Sequence, residues 1–306
     1  MKKYTIIIPQ RDCADLTKRC LLSIPKRYDI EVFIIDDNSR RPEDLKLVEN
    51  EFDNTIFKFI YTTEGKGAGY ARNIGLKEAT GEWLIFSDAD DYFTHDAFDI
   101  FDKYSCLSYD YILYYHTSVY SDTLEPCIRY SVRNKYIDRY FQNPSKVNED
   151  SLKYADIVPW AKMMKRSIAV NNGLVFDEVP ASNDVTFISQ IAYHCQRMAV
   201  VKECVYVLTF RSGSITRVNN KENDYSRFLV SLRFNNFLKD IGCKNLQSRV
   251  LSKVLIALHT FGIKEALMYI KTAHKYNQSL FTGLTFSFES IKEKMQQLFR
   301  KDSFQG

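Results

Sequence analysis

The chain has 306 residues, of which 45% are hydrophobic and 26% charged, with a formal net charge of +4 at pH 7. That is the composition of an ordinary soluble globular protein, long enough for one large core or two modest domains. With no run of about 18 apolar residues and seven scattered cysteines, none in a Cys-x-x-Cys pair, it excludes a membrane-spanning helix and a thiolate zinc site and points to a reduced, cytosolic compartment.

Met1-Lys2-Lys3 is basic, but Tyr4 to Ile8 is too short for the apolar region of a signal peptide, and Pro9 ends it. Tyr4 to Ile8, Glu31 to Ile35, Ile56 to Tyr61 and Glu82 to Phe86 read as short buried strands bounded by Pro, Asp, Asn or Gly. Between them, Asp15 to Ile24, Pro42 to Phe52 and Ala68 to Ala79 read as helices, with Pro42 at a helix start and Gly81 as a stop. Strands alternating with helical crossovers imply a parallel sheet of right-handed βαβ units. Farther along, Tyr109 to Val119 and Val200 to Phe210 read as strands, and Trp160 to Ser167 and Asp184 to Tyr193 as helices. From Asp224 the pattern is helical throughout. One apolar stripe runs through Leu246, Val250, Leu251, Val254, Leu255, Leu258 and Phe261. A second, Ile291, Met295, Leu298 and Phe299, opens with the capping-box pattern Ser290-x-x-Glu293. Lys292, Lys294, Arg300 and Lys301 flank it, which suits either a core-packed helix with a solvated rim or a helix lying on an anionic membrane face.

Ligands of open parallel sheets bind beyond the carboxyl ends of the strands. Two acidic motifs fall there: Asp36-Asp37-Asn38-Ser39 after the second strand and Asp88-Ala89-Asp90-Asp91 after the fourth. An isolated Asp-x-Asp is most often a polar turn. Here three carboxylates within four residues repel one another unless a cation sits between them. Oxygen ligands of that kind suit Mg²⁺ or Mn²⁺, with substrate phosphates completing the shell. The five histidines (95, 116, 194, 259 and 274) show no metal-ligand spacing. From Tyr225 onward 13 Lys/Arg stand against 5 Asp/Glu, so an acidic body carries a basic tail suited to an anionic partner. No nucleic-acid motif accompanies that charge, so nucleic-acid binding is not expected.

These residues resemble an inverting glycosyltransferase of family 2 with the GT-A fold, of the kind that builds bacterial surface polysaccharides. The resemblance covers Thr5 to about Thr216. It rests on Thr5-Ile6-Ile7-Ile8-Pro9, Asp36-Asp37-Asn38-Ser39, and Ala71-Arg72-Asn73-x-Gly75 followed by Gly81-Glu82 and Asp88-x-Asp90-Asp91. Farther on, Trp160-x-Lys162, Ser182-Asn183-Asp184-x-x-Phe187 and Arg211-x-Gly213-Ser214-x-Thr216 continue it in order. The pattern departs at Pro9-Gln10-Arg11-Asp12, where Arg11 and Asp12 stand in place of an aromatic and an Asn, and at Asn183, where an acidic residue is common.

The resemblance implies a role for each position. Asp90 holds a divalent metal, Mn²⁺ or Mg²⁺, with Asp88 on the sugar or ribose side. Asp37 accepts a hydrogen bond from the nucleotide base, and Pro9 belongs to the same donor site. Arg72 reaches the diphosphate or braces the Asp cluster, and Lys66 in the glycine loop binds phosphate or is simply solvated. Asp184 is the base that takes the acceptor's proton; a helix N-cap is the alternative, with Asn183 competing for it. Trp160 stacks on the acceptor sugar or fills the core, and Asn183 belongs with it to the acceptor-binding side.

The expected fold is therefore α/β: a GT-A, Rossmann-like, mostly parallel sheet flanked by helices, with a C-terminal helical extension. Residues 1–220 form the catalytic domain, 1–95 for the nucleotide sugar and 96–220 for the acceptor, and 221–306 form the extension. The expected activity is inverting transfer of a hexose from a nucleotide-diphosphate sugar, UDP-linked, to a saccharide or lipid-linked saccharide in surface polysaccharide synthesis. A catalytically silent GT-A module that binds nucleotide or saccharide is the alternative. The expected location is cytoplasmic, peripheral on the inner membrane face through the basic C-terminal helices.

Overall fold

In the computed structural model, which describes residues 2–127, 131–211 and 220–284, the N-terminal apolar runs form the centre of the fold. β1 (Tyr4–Gln10) and β2 (Ile30–Asp36) are buried at all seven positions. Covered on both faces, they lose the alternation of a half-exposed strand. β3 (Phe57–Tyr61) and β4 (Trp83–Phe86) complete a parallel set in which β1 pairs with β2 and β4, and β2 with β3. The crossovers are α1 (Ala14–Leu22), α2 (Pro42–Glu49) and α3 (Ala68–Glu78). Pro9 lies beyond the last β1–β4 pair, Ile7 opposite Phe86, so on that side its missing N–H removes no ladder bond.

The chain continues through β5 (Tyr92–Phe93), α4 (Ala97–Ser105), β6 (Tyr111–Tyr120), α5 (Ser131–Gln142) and α6 (Lys146–Tyr154). β7 (Lys162–Lys165), α7 (Arg166–Asn171), α8 (Val185–His194) and β8 (Met198–Phe210) follow. Among the described residues the sheet has eight strands in the order β3-β2-β1-β4-β7-β6-β8-β5. β7 is antiparallel to both neighbours and β5 to β8, while β6 and β8 run parallel. The N-terminal half is thus the parallel one, and the sheet as a whole is mixed.

The helix expected over Trp160 to Ser167 is instead β7 followed by the first turn of α7. β7 lies between β4 and β6, and Lys162, Met163 and Met164 are all buried. A short central strand of this kind has no period to read.

The described chain divides into two compact units, Met1–Arg227 and Phe228–Gly306. The boundary falls inside α9 (Lys221–Asp240), and the expected division at residue 220 lies just before that helix. In the second unit, α10 (Val250–Phe261) and α11 (Ile263–Lys275) meet at Gly262, whose φ of +94° favours glycine. Phe228 stacks on Tyr269 with centroids 4.3 Å apart. Of the stripe expected through this region, Val250 and Val254 are buried, but Leu255 and Leu258 face outward. The Ser290-x-x-Glu293 box and the Ile291–Phe299 stripe lie outside the described residues, as do Gly213, Ser214 and Thr216.

One contact fixes α3 against the segment before α8. A Cβ on Gly69 would lie 2.1 Å from the Asp177 carbonyl oxygen and 2.9 Å from the Asn183 Cβ. Gly69→Ala is therefore expected to cost about 1–3 kcal/mol by overpacking, measured as a lowered denaturant midpoint at unchanged slope.

Candidate active site

Because β2, β1 and β4 are adjacent and parallel, their carboxyl ends bring Asp37, Pro9 and Asp88 to one edge of the sheet. Asp36 closes the turn there, accepting from the Ser39 N–H at 3.2 Å and from Gln10 Nε2 and Ser39 Oγ. Asp37 does something different. Its Oδ2 accepts from the Gly67 N–H at 2.8 Å and lies 3.7 Å from Arg11 Nη1. Its Oδ1 is buried with no hydrogen-bond partner. Burial pushes this carboxyl up, against the pull of Gly67 and Arg11. A buried acceptor with one oxygen satisfied is suited to a donor group from a ligand. Lys66, by contrast, is half exposed and pairs with Glu64, over the Tyr70 ring, which is the solvated arrangement.

The glycine loop delivers α3, and α3 delivers Arg72. This guanidinium is buried and forked: Nη2 donates to Asp88 Oδ1 at 2.7 Å and Nη1 to Asn183 Oδ1 at 2.8 Å. It lies over the Phe176 ring at 5.4 Å. In this arrangement Arg72 braces the Asp cluster and ties it to the segment that carries Asp184.

The three carboxylates after β4 divide their work. Asp88 has 36% of its side chain exposed, and its N–H donates to the Tyr206 hydroxyl at 2.9 Å. The Asp90 carbonyl accepts from Arg19 Nη2 at 2.8 Å and Thr209 Oγ1 at 2.6 Å, which fixes the tip's backbone. Its carboxylate is 26% exposed, 3.7 Å from Arg211 Nε. Asp91 is buried and accepts from the Thr209 N–H at 2.7 Å. Burial and the charges of Asp90 and Asp88 push its carboxyl well above the usual carboxylate range. Asp91 therefore serves the loop, and Asp88 and Asp90 present the charge.

Asp184 occupies the N-cap position of α8, but its side chain makes no capping hydrogen bond. Ser182, with φ +63°, turns the chain just before it. Burial pushes the Asp184 carboxyl up; Arg72 and Arg133 oppose, and Asp88 adds to the rise. Those influences place Asp184 in the electrostatic field of the Asp88–Arg72 pair. Asn183 is committed to Arg72 through its side chain and to the Asp177 N–H through its carbonyl.

Trp160 is 5% exposed. Its ring stacks on Tyr206 at 5.6 Å, meets His116 edge-on at 4.9 Å, and is overlain by Arg133 at 5.4 Å. It packs in the core here and offers no open face to a sugar. Beneath it, buried Lys162 donates to Asp156 Oδ2 at 3.0 Å and to the Asp156 and Val158 carbonyls, and Arg133 Nη1 reaches Asp156 Oδ1 at 2.6 Å. Burial pushes Lys162 down and works on Asp156 in the opposite sense, but the two cations hold Asp156 below its ordinary value. Sequence reasoning does not single out Arg19, Arg133, Asp156 or Tyr206. Tyr206 sits in a strand rich in aromatics and reads as core, and the others lie in segments without a motif.

Among the described residues no three His, Cys, Asp or Glu side chains gather to hold a metal alone. The donor set nevertheless fits a hard cation. Asp88 and Asp90 offer partly exposed carboxylate oxygens, and Mg²⁺-type ions usually take one or two carboxylates and complete their shell with substrate phosphates and water.

Residues 5–170 match the model of glycosyl transferase family 2. Over 112 residues the chain is 33% identical to an uncharacterized glycosyltransferase of Mycoplasma genitalium, covering 34% of this chain and 37% of that protein. The chain thus matches little more than a third of that relative's length. Among solved structures, TarS (residues 1–349) of Staphylococcus aureus in complex with UDP-GlcNAc superposes with a TM-score of 0.66, over 90% of this chain and 80% of that one, at 18% identity. A mannosyltransferase of Pyrobaculum calidifontis in complex with GDP-Man and Mn²⁺ gives 0.57 over 90% and 81%, at 17% identity. These likenesses establish the GT-A fold.

The Arg72 fork gives a direct expectation. Arg72→Lys keeps the charge but reaches only one of its two acceptors. It should lower stability by about 1–3 kcal/mol in denaturant unfolding and weaken nucleotide binding in the same preparation.

Proposed function

This chain belongs to glycosyl transferase family 2, and from that premise we propose that it moves a hexose from a UDP-linked sugar to a saccharide on a lipid carrier, with inversion at the anomeric carbon, in bacterial surface polysaccharide synthesis. The observation that carries the reading is the joining of Asp88, at a strand end, to the Asn183–Asp184 pair through one buried arginine. That link supports a single site in which a strand-end carboxylate serves as donor centre and the segment carrying Asp184 as acceptor centre.

The roles follow from the surroundings of each group. Asp37 offers its unsatisfied Oδ1 to an N–H of the base. Asp88 faces the sugar or ribose. Asp90 would hold a divalent cation, Mn²⁺ or Mg²⁺, which would neutralise the charge that develops on the departing nucleotide. The acceptor oxygen attacks the anomeric carbon on the face opposite the diphosphate. Its bond to that carbon forms as the carbon–phosphate-oxygen bond breaks, and its proton passes to the Asp184 carboxylate. Arg72 holds Asp88 and the Asn183–Asp184 segment in register. The silent-module alternative is disfavoured by Asp184, whose side chain is not spent on capping α8. No helix among the described residues is long and apolar enough to cross a membrane. In this reading the lipid-linked acceptor is met at the membrane surface.

Only ionised Asp184 accepts a proton, and burial raises its pKa. The rate should therefore fall as pH drops through that raised value, starting at higher pH than for an exposed aspartate. Asp184→Asn should lower turnover by about 10²–10⁴-fold while UDP still raises the melting temperature; near-normal turnover would remove Asp184 from the base role. UDP at about 100 times its Kd should add roughly 2.7 kcal/mol of stability and should need Mn²⁺ to do so. GDP, dTDP and CMP are the comparisons, and no shift with any of the four nucleotides, UDP included, in folded protein would undercut the donor site and favour the silent module.

A further inference from the structure

α11 carries two apolar faces, and the described residues of its unit cover only one. Ala266, Tyr269 and Ala273 are buried. On a different face, three and four residues apart, Ile263, Leu267 and Ile270 are 63%, 50% and 36% exposed. Leu255, Ile256 and Leu258 of the packed neighbour α10 are exposed as well, at 53%, 52% and 41%. Scattered exposed apolar residues are normal, but a repeated helical row of them marks an interaction surface. The charge beside the row is of one sign. Lys264, Lys271 and Lys275 follow at intervals of seven and four, so they form a basic row along the same helix. Between Ile241 and Phe288 the sequence has six Lys/Arg, and its only acidic residue is Glu265.

We propose that this α11 face, with the outward side of α10, is a docking surface for an anionic phospholipid membrane: the apolar row enters the headgroup boundary and the lysine row meets the lipid phosphates. The partner is inferred from charge. A second copy of this chain would set lysine row near lysine row, and a protein partner would need matching acidic residues. An anionic bilayer supplies apolar depth and negative charge together. The inference deepens the proposed function by naming the surface at which a lipid-linked acceptor is met, and it rests on that reading only for its purpose.

The test is sedimentation of the full-length protein with vesicles of phosphatidylcholine alone or mixed with phosphatidylglycerol, at low and high salt. Binding is expected to the mixed vesicles and to weaken with salt. Lys264→Gln/Lys271→Gln/Lys275→Gln and, separately, Ile263→Ser/Leu267→Ser should each lower the vesicle partition coefficient about tenfold or more. All five positions are exposed, and the melting curve of each variant beside the wild type checks its fold. The UDP-induced melting shift should be unchanged in both variants, which separates failure of the surface from failure of the donor site. Absence of binding by the wild type, binding of equal strength by both variants, or a wild-type dimer that the Ile263/Leu267 variant dissociates would each overturn the proposal.

Discussion

The buried fork of Arg72 is the constraint on which the site depends. A guanidinium is planar, always charged and able to serve two acceptors at fixed angles. Here it spends one arm on Asp88 and the other on Asn183. Charge alone would have been met by any cation. What the fork adds is a fixed separation between a strand-end carboxylate and the segment before α8. The glycines beside it serve the same end: Gly69 lets α3 approach the Asp177 carbonyl closely enough for the fork to reach.

The acidic loop shows how a protein keeps three carboxylates close together. Asp91 is withdrawn from water and toward its neutral form, so it adds little to the repulsion. Asp88 is matched by Arg72, and Asp90 lies near Arg211 while its carbonyl is held by Arg19. The spread of roles is set by burial and partners, and it is invisible in the letters Asp-Ala-Asp-Asp.

The parallel half of the sheet was legible because its strands are buried on both faces and separated by helices of ordinary spacing. The strand-end location of Asp37 and Asp88 followed from that pattern. β7 was not legible, because four residues between two other strands carry no period, and neither was the antiparallel sense of its pairing. Trp160 could be read as a sugar platform or as core, since an indole suits both; only the packing against Tyr206 and His116 decides for the core. Asp184 was found through its motif, but its surroundings were not: burial and Asp88 raise its pKa while Arg72 and Arg133 oppose the rise, and these groups are distant in sequence and joined only by folding. The apolar stripe of α10 was legible as a stripe, but which of its residues face outward depends on where α11 packs.

The backbone of the Asp88–Asp91 loop is stitched to distant parts of its unit. Its amide and carbonyl groups engage Tyr206 and Thr209 of β8 and Arg19 of α1. Such a loop does not fray by itself. The Asp88 amide is expected to exchange with solvent only when the Tyr206 hydroxyl moves away, which ties the loop's order to that of β8. The tip that carries Asp88 and Asp90 is thus ordered by its own fold, and the entropy of arranging it is settled in folding rather than at any later encounter.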